Sequence, residues 1–571
     1  MSDEKDYYER LSDERKALQK EGLVPKWYST GGYQMFKEKY EYQTEGRSVR
    51  GQFERIAKTA AKHLEDTSLH KGAEEKFFNL LWKGWLSPST PVLANMGTNR
   101  GLPVSCSGGV VEDSIEGFYK NRMETAILTK HGFGTSAYLG NIRPRGSKIS
   151  VGGKANGLAP VFKGHVQDMR EVSQGSARRG AWAGYLEIDH GDFDELSDFI
   201  LAEPDDCNVG WIITDEFIER LDSGEEEAIR RYQKAMKLKM VTGRGYFHFI
   251  DKVNRQRPDM YKEHGLTVKA SNLCMEIALF ADADHTFSCV LSSLNDARWD
   301  EWKDTDAVYW ATVFLDCVAE EFIQRAKKIN GLDKVIRFTE KGRALGLGQC
   351  GLHTLFQSKM IPFESLEAQL LSQQIAKRIQ EESDRASRDM AVILGEPEWC
   401  KGYGFRNTHR RAIAPTKSTA LLMGGISEGI NPDPAMTYTQ KTSAGDVSRI
   451  NPTFLKLMKE RGHNNKATLK SITDKFGSVQ HLDWLSDEEK AVFKTAFEID
   501  QHVILRMTAA RQKFVDQGQS MNLFFSADEK PEHIGRVMTA AAKNEGILGV
   551  YYIYTQAGVK AAQETQCLAC Q

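Results

Sequence analysis

Between residue 2 and about residue 85, apolar positions recur at helical spacing inside strongly charged stretches such as "DYYERLSDERKALQKEG" and "EEKFFNLLWKGWL". This pattern predicts a helical N-terminal region over residues 1–85. From "LSPSTPVLANMG" onward the chain changes character: short apolar runs, among them "VLAN", "YLEI" and "VGWIIT", are separated by Gly-rich turns and alternate with helical stretches up to about residue 295. Alternating strand and helix signals predict an α/β body with parallel strands, placed over residues 86–545 with helical insertions. Within it, residues 300–400 and 465–545 read as mostly helical. The segment 546–571 opens on "GILGVYYIYTQAG", a strand pattern, and runs out into a mobile tail.

Composition narrows the function classes. The 571 residues carry a formal net charge of −2 with both signs interspersed, so neither nucleic acid nor a membrane surface is an expected partner. No apolar run approaches the roughly 18 residues of a membrane span, and the start "MSDEKDYYER" is charged, so a cytoplasmic location is expected. Nine cysteines at irregular spacing do not make a disulfide framework. The one tight pair is Cys567-Leu-Ala-Cys570, and only His533 accompanies it near the end, so no metal site is expected and thiol exchange fits it better than zinc.

Three stretches carry candidate chemistry. In "SNLCMEIAL", residues 271–279, an extended backbone puts Asn272, Cys274 and Glu276 on one face and Leu273, Met275 and Ile277 on the other; the ordinary alternative is a buried structural thiol. In "APTKSTALLMGG", Ala414 and Pro415 lead into Thr416, Lys417, Ser418 and Thr419, the signature of a helix N-terminus. Such an end binds phosphate, or is simply capped. "STPVLANMGTNRGLPVSC" holds Ser89 and Thr90 and ends in Ser105-Cys106. Cys106, Cys274 and Cys289 are either core fillers or a reaction centre fed with electrons by the C-terminal pair. Gly346-Leu-Gly348-Gln-Cys-Gly351 fits G-x-G-x-x-G, but it follows "EKGRAL" and no acidic residue ends a second strand, so it is not read as a dinucleotide site.

Taken in order, "STPVLANMGT", "NIRPRGS", "SQGSARRGA", N-L-C-x-E, "APTKST" and Tyr551-Tyr552 make the chain, from about residue 85 onward, resemble the large catalytic subunit of a class I ribonucleotide reductase. The resemblance implies a ten-stranded α/β barrel with a catalytic finger loop. It implies radical-based reduction of ribonucleoside di- or triphosphates to 2′-deoxyribonucleotides for DNA synthesis. Cys274 is then the thiyl radical, Glu276 the general base on the 3′ hydroxyl and Asn272 its neighbour on the substrate. Cys106 and Cys289 are the pair that supplies two electrons, and Cys567 and Cys570 the tail thiols that restore it. Tyr551 and Tyr552 pass the radical in from a separate, metal-containing small subunit, so no cofactor is expected in this chain.

The same resemblance places substrate contacts at Thr90, Ser105, Gly132 and the run Ala414 to Thr419, with Lys417 standing where relatives often carry an acidic or small residue. It places a nucleotide effector site (ATP or dNTP) at a homodimer interface, on Asp113, Arg143, Gln174 and Arg178, and names a thioredoxin- or glutaredoxin-like reductant. Only 105 residues precede Cys106, most of them helical, so a complete N-terminal ATP-cone does not fit, and specificity control without a dATP off-switch is expected. Two alternatives stand beside this reading: a cobalamin-dependent reductase, which makes its radical in place, and a catalytically dead nucleotide-binding regulatory chain.

Overall fold

The computed structural model describes residues 2–42, 48–150, 152–174, 178–205, 207–442 and 445–556. The N-terminal region is helical. Ser48 starts the helix Val49–Lys62 by accepting from Gly51 N, and Phe53, Ile56, Ala57 and Ala60 are buried where it packs on Ala73–Trp82 and on Ala307–Ala326. The short π-helix Phe36–Tyr40 buries Tyr40, whose hydroxyl lies 3.2 Å from Thr90 Oγ1.

Five parallel strands follow in spatial and chain order: β1 Cys106–Val110, β2 Gly134–Tyr138, β3 Trp182–Glu187, β4 Asn208–Ile213 and β5 Tyr246–Phe249. All of β4, "NVGWII", is buried, as expected of a parallel strand covered on both faces. Trp182 of β3 anchors the outer layer, its ring 5.1 Å from Phe162 and stacked at 4.4 Å on His165 of the helix Ala159–Glu171.

The long strand β6 Phe287–Asn295 runs antiparallel to β1, and β7 Leu345–Cys350 runs parallel to β6. At the other edge, β8 Gly549–Val550 is antiparallel to β5. The ring between β7 and β8 is closed by extended segments. Leu345 N and Leu347 N donate to His409 O and Arg410 O, Ser520 N donates to Ile413 O, and Leu523 N donates to Tyr552 O. Seven strands and three extended crossings, near 409–413, 517–525 and 548–555, make up the ten-stranded barrel.

Several local expectations are corrected. "VLAN" lies in a helix, Thr90–Asn95, because Ser89 and Pro91 occupy cap and first-turn positions. The 300–400 stretch is mostly helical, as expected, with β7 inside it, and the 465–545 stretch interrupts its helices with the crossing 517–525 and its strand Leu523–Phe525. A hairpin, Thr437–Thr442 with Gly445–Ile450, was not anticipated. Among the described residues, no helix is long and apolar enough to cross a membrane, and no cluster of His, Cys, Asp and Glu is arranged to hold a metal ion.

Candidate active site

The segment 271–279 threads into the barrel and is held from several walls. Tyr185 Oη of β3 donates to Asn272 O at 2.6 Å and Ser136 Oγ of β2 donates to Ser271 O at 2.8 Å. From the opposite side, Ser520 Oγ donates to Cys274 O at 2.7 Å and Gly518 N to Glu276 O at 2.8 Å. Within the loop, Ser271 Oγ donates to Ile277 O at 2.7 Å and Ile277 N to Asn272 Oδ1 at 3.3 Å.

This loop is a turn and not the extended segment expected. Met275 adopts φ +69°, a left-handed conformation that costs a non-glycine residue on the order of 1–3 kcal/mol. Room for the turn comes from glycines on neighbouring crossings: a Cβ at Gly518 would lie 2.9 Å from Met275 O, and one at Gly549 would collide with Met275 Cε. Asn272 and Glu276 come together because the chain reverses between them, not through strand alternation. Leu273 and Met275 drop into an apolar cluster with Tyr185, Tyr246 and Tyr551, against which Cys274 packs.

Cys106 and Cys289 face each other in register across β1 and β6, both as free buried thiols. Asn272 Nδ2 reaches Cys106 Sγ at 3.3 Å, which ties the loop to the pair, and Gln517 Nε2 lies 3.7 Å from Cys289 Sγ. Burial pushes the Cys289 thiol well above its ordinary range. Among the described cysteines only Cys274 is not fully buried. The rejected glycine motif has its explanation here: it is β7 itself, and a Cβ on Gly346 would lie 3.0 Å from Cys289 Sγ. Glu276 is buried, which raises its carboxyl to about 7 against the opposing hydrogen bonds of Asn272 and Ser520.

Tyr551 and Tyr552 are in ring contact, their centroids 4.1 Å apart and their planes tilted by 49°, in that same cluster. The helix Lys417–Leu422 begins where expected, with Thr416 at the cap in a left-handed conformation (φ +53°), its Oγ1 accepting from Gly429 N at 2.8 Å. That helix packs on the strand Leu86–Pro88, which leads directly to Ser89 and Thr90. Ser89 Oγ is buried and makes no hydrogen bond to the described residues, while Thr90 bonds Tyr40. Ser105 Oγ lies 3.8 Å from Cys106 Sγ. Gly132, at φ +106°, follows the helix Ile115–Lys130 and leads into β2. Ala414, Pro415, Lys417 and Ser418 are half-buried around the helix start, and Thr419 is buried.

Residues 104–231, 227–400 and 396–553 match the ribonucleotide reductase barrel domain, and residues 26–101 match the ribonucleotide reductase all-alpha domain. The chain belongs to the ribonucleotide reductase large-subunit family. A protein of Frog virus 3 (isolate Goorha) named as a ribonucleoside-diphosphate reductase large subunit is 34% identical over 532 residues, covering 87% of this chain and 92% of its own. The ribonucleoside-diphosphate reductase large subunit of Danio rerio is 27% identical over 632 residues, covering 94% and 77%. Among solved structures, the Actinobacillus ureae class Id ribonucleotide reductase alpha subunit superposes with a TM-score of 0.86 at 36% identity, covering 93% of this chain and 97% of that one.

In this reductase the residues expected at the effector site lie near the helix Ile115–Lys130, which packs on the strand Ser173–Gln174. Asp113 and Arg143 form an ion pair beside the start of the helix Ile115–Lys130, and Arg143 Nη1 donates to Lys148 O at 3.2 Å. Gln174 and Arg178 are backbone partners in a short antiparallel ladder that brackets residues 175–177, which lie outside the described residues. Cys567 and Cys570 also lie outside them. Sequence reasoning missed Tyr185, Ser520, Gln517 and Tyr246. Each touches the loop, the thiol pair or the tyrosines from a distant crossing, and none stands in a motif that marks it.

Proposed function

We propose that this chain is the catalytic α subunit of a class I ribonucleotide reductase, reducing ribonucleoside diphosphates with a radical delivered by a separate small subunit. The observation that carries the proposal is a half-buried thiol, Cys274, on a loop whose Asn272 reaches Cys106 of the registered Cys106–Cys289 pair. Cys274 as a thiyl radical takes the 3′ hydrogen of the ribose while Glu276 takes the proton of the 3′ hydroxyl. The 2′ hydroxyl then leaves as water. Cys106 and Cys289 supply two electrons and two hydrogens and become a disulfide, and Cys274 returns its hydrogen to C3′. Cys567 and Cys570 re-reduce that disulfide by thiol exchange and are themselves restored by a thioredoxin- or glutaredoxin-like protein.

The diphosphate is assigned to Thr90, Ser105 and the amides and hydroxyls of Thr416 to Thr419, with Lys417 adding a positive charge and Gly132, Ala414 and Pro415 shaping the wall. The close Tyr551–Tyr552 pair favours radical entry from another subunit over cobalamin. Ile115, Tyr119 and Met123 are 66%, 63% and 56% exposed at i, i+4 and i+8 of one helix, an apolar line suited to a two-fold partner. We place the homodimer interface there, with the effector residues Asp113, Arg143, Gln174 and Arg178 beside it. Reduction of ribonucleoside diphosphates by the full chain with its cognate radical subunit, and none with adenosylcobalamin alone, is the expected outcome. Turnover with adenosylcobalamin and no second subunit overturns the class assignment.

The buried carboxyl of Glu276 gives a pH prediction. Its value is raised to about 7, so the carboxylate that accepts the proton is lost as pH falls through that value. Below it, kcat/KM is expected to fall about ten-fold per pH unit, and Glu276→Gln is expected to lose most activity together with that limb of the profile. A wild-type profile flat from pH 8 to pH 6 removes Glu276 from the role of base.

A further inference from the structure

Lys239, in the last turn of the helix Glu226–Thr242, is fully buried. Its Nζ donates to two main-chain carbonyls, Gly245 O at 2.7 Å and Tyr551 O at 2.6 Å. Its Nζ also lies 5.9 Å from the ring centre of Tyr246 and 5.7 Å from that of Phe247. Burial lowers its pKa to about 7, and even the neutral amine keeps two N–H bonds for the two carbonyls. A buried lysine without a carboxylate is expensive, and methionine fills the same space without that cost. What lysine adds is a bond at one particular rung.

The antiparallel ladder of β5 and β8 pairs His248 with Gly549 and Phe247 with Val550. Its next rung would join Tyr246 to Tyr551. There the chain leaves β5: Tyr551 N donates to Met521 O at 3.0 Å, and Tyr552 N donates to Asn522 Oδ1 at 3.2 Å. Lys239 Nζ bridges the two strands where the ladder gives out. Around this point the three phenols meet, with the Tyr246 ring 5.0 Å from Tyr551 and 5.6 Å from Tyr552, and Tyr246 Oη 3.4 Å from Tyr552 Oη. A second buried lysine, Lys252, holds the approach to β8 in the same manner, donating to Ala541 O at 3.1 Å and Asn544 O at 2.8 Å.

We propose that Lys239 is a positioning residue for radical transfer: by joining Gly245 O to Tyr551 O it fixes the close Tyr551–Tyr552 pair against Tyr246. This rests on the radical-transfer reading of the tyrosine pair. Transfer between phenols depends steeply on separation and orientation, so a strand end free to drift lowers the rate of entry without touching the nucleotide sites.

The test uses the full chain with its radical subunit. Lys239→Met is expected to lower kcat about ten- to a hundred-fold with KM within about two-fold. With 3-aminotyrosine in place of Tyr552, the same substitution is expected to lower the aminotyrosyl radical yield, read by electron paramagnetic resonance, in the same proportion. Wild-type kcat and radical yield in Lys239→Met, beside an inactive Tyr551→Phe, overturn the role of Lys239 and leave the relay standing. Lost activity with unchanged radical yield also overturns it, because the defect then lies after entry. Normal turnover of Tyr551→Phe overturns the relay itself, and the Lys239 proposal with it. Should Lys239→Met not fold, Lys239→Leu, which likewise removes the donor, carries the same comparison.

Discussion

Cys274→Ser is expected to reduce turnover to the background of the chain without its radical subunit, while substrate and effector affinities stay within about two-fold of wild type. The asymmetry follows from where the side chain sits and how its loop is held. Cys274 is only half-buried, and its backbone carbonyl, not its sulfur, receives the Ser520 hydroxyl. The loop keeps its shape through Tyr185, Ser136, Gly518 and the Ser271–Ile277 bond, none of which involves the thiol. Serine is near in size and leaves all of these in place. Its O–H bond is too strong to give up and regain a hydrogen atom, so the chemistry stops while the site persists. Isothermal titration of nucleotide alongside the turnover assay separates the two effects. Sustained multiple turnover by a clean Cys274→Ser preparation sinks the assignment.

The candidate site residues stood out in the sequence because their types and local spacings are unusual: a thiol between an amide and a carboxylate, a Pro-Thr-Lys-Ser-Thr helix start, two adjacent tyrosines. Their geometry was less so. Alternation put Asn272, Cys274 and Glu276 on one face of a strand, and the structure brings Asn272 and Glu276 together through a left-handed Met275. Nothing local announces that conformation, since methionine does not favour it. The permission lies more than two hundred residues away, in the missing side chains of Gly518 and Gly549.

The same separation hides the loop's supports. Tyr185, Ser136 and Ser520 each look like ordinary strand or loop residues until the barrel closes. β7 shows the converse: "GLGQCG" resembles a phosphate loop by composition, yet its first glycine is needed because Cys289 and Ala412 crowd that strand. Barrel closure was read only through family resemblance. Three of its ten crossings have short or broken ladders, and two of them, 409–413 and 517–525, carry no strand-length apolar pattern.

Stoichiometry without any external reductant gives the sharpest test of the thiol pairs. Cys106 and Cys289 are direct cross-strand partners, and such antiparallel neighbours have Cα atoms about 4.5–5.5 Å apart. That lies inside the roughly 4.4–6.8 Å that a disulfide spans, so the bond forms without moving the barrel. Burial keeps the Cys289 thiol protonated at neutral pH, ready to supply hydrogen as well as an electron. Prereduced wild-type chain, given its radical subunit and substrate, is therefore expected to make about two deoxynucleotides per chain, one from this pair and one after exchange with Cys567 and Cys570. With both tail cysteines changed to serine the yield is expected to fall to about one, and peptide mapping then finds Cys106 linked to Cys289. Cys106→Ser or Cys289→Ser is expected to make none, since a single thiol cannot complete a two-electron reduction. A yield of about one from either of these single variants would falsify the assignment of the pair, and an undiminished yield from the tail variant would show that Cys567 and Cys570 take no part in the exchange.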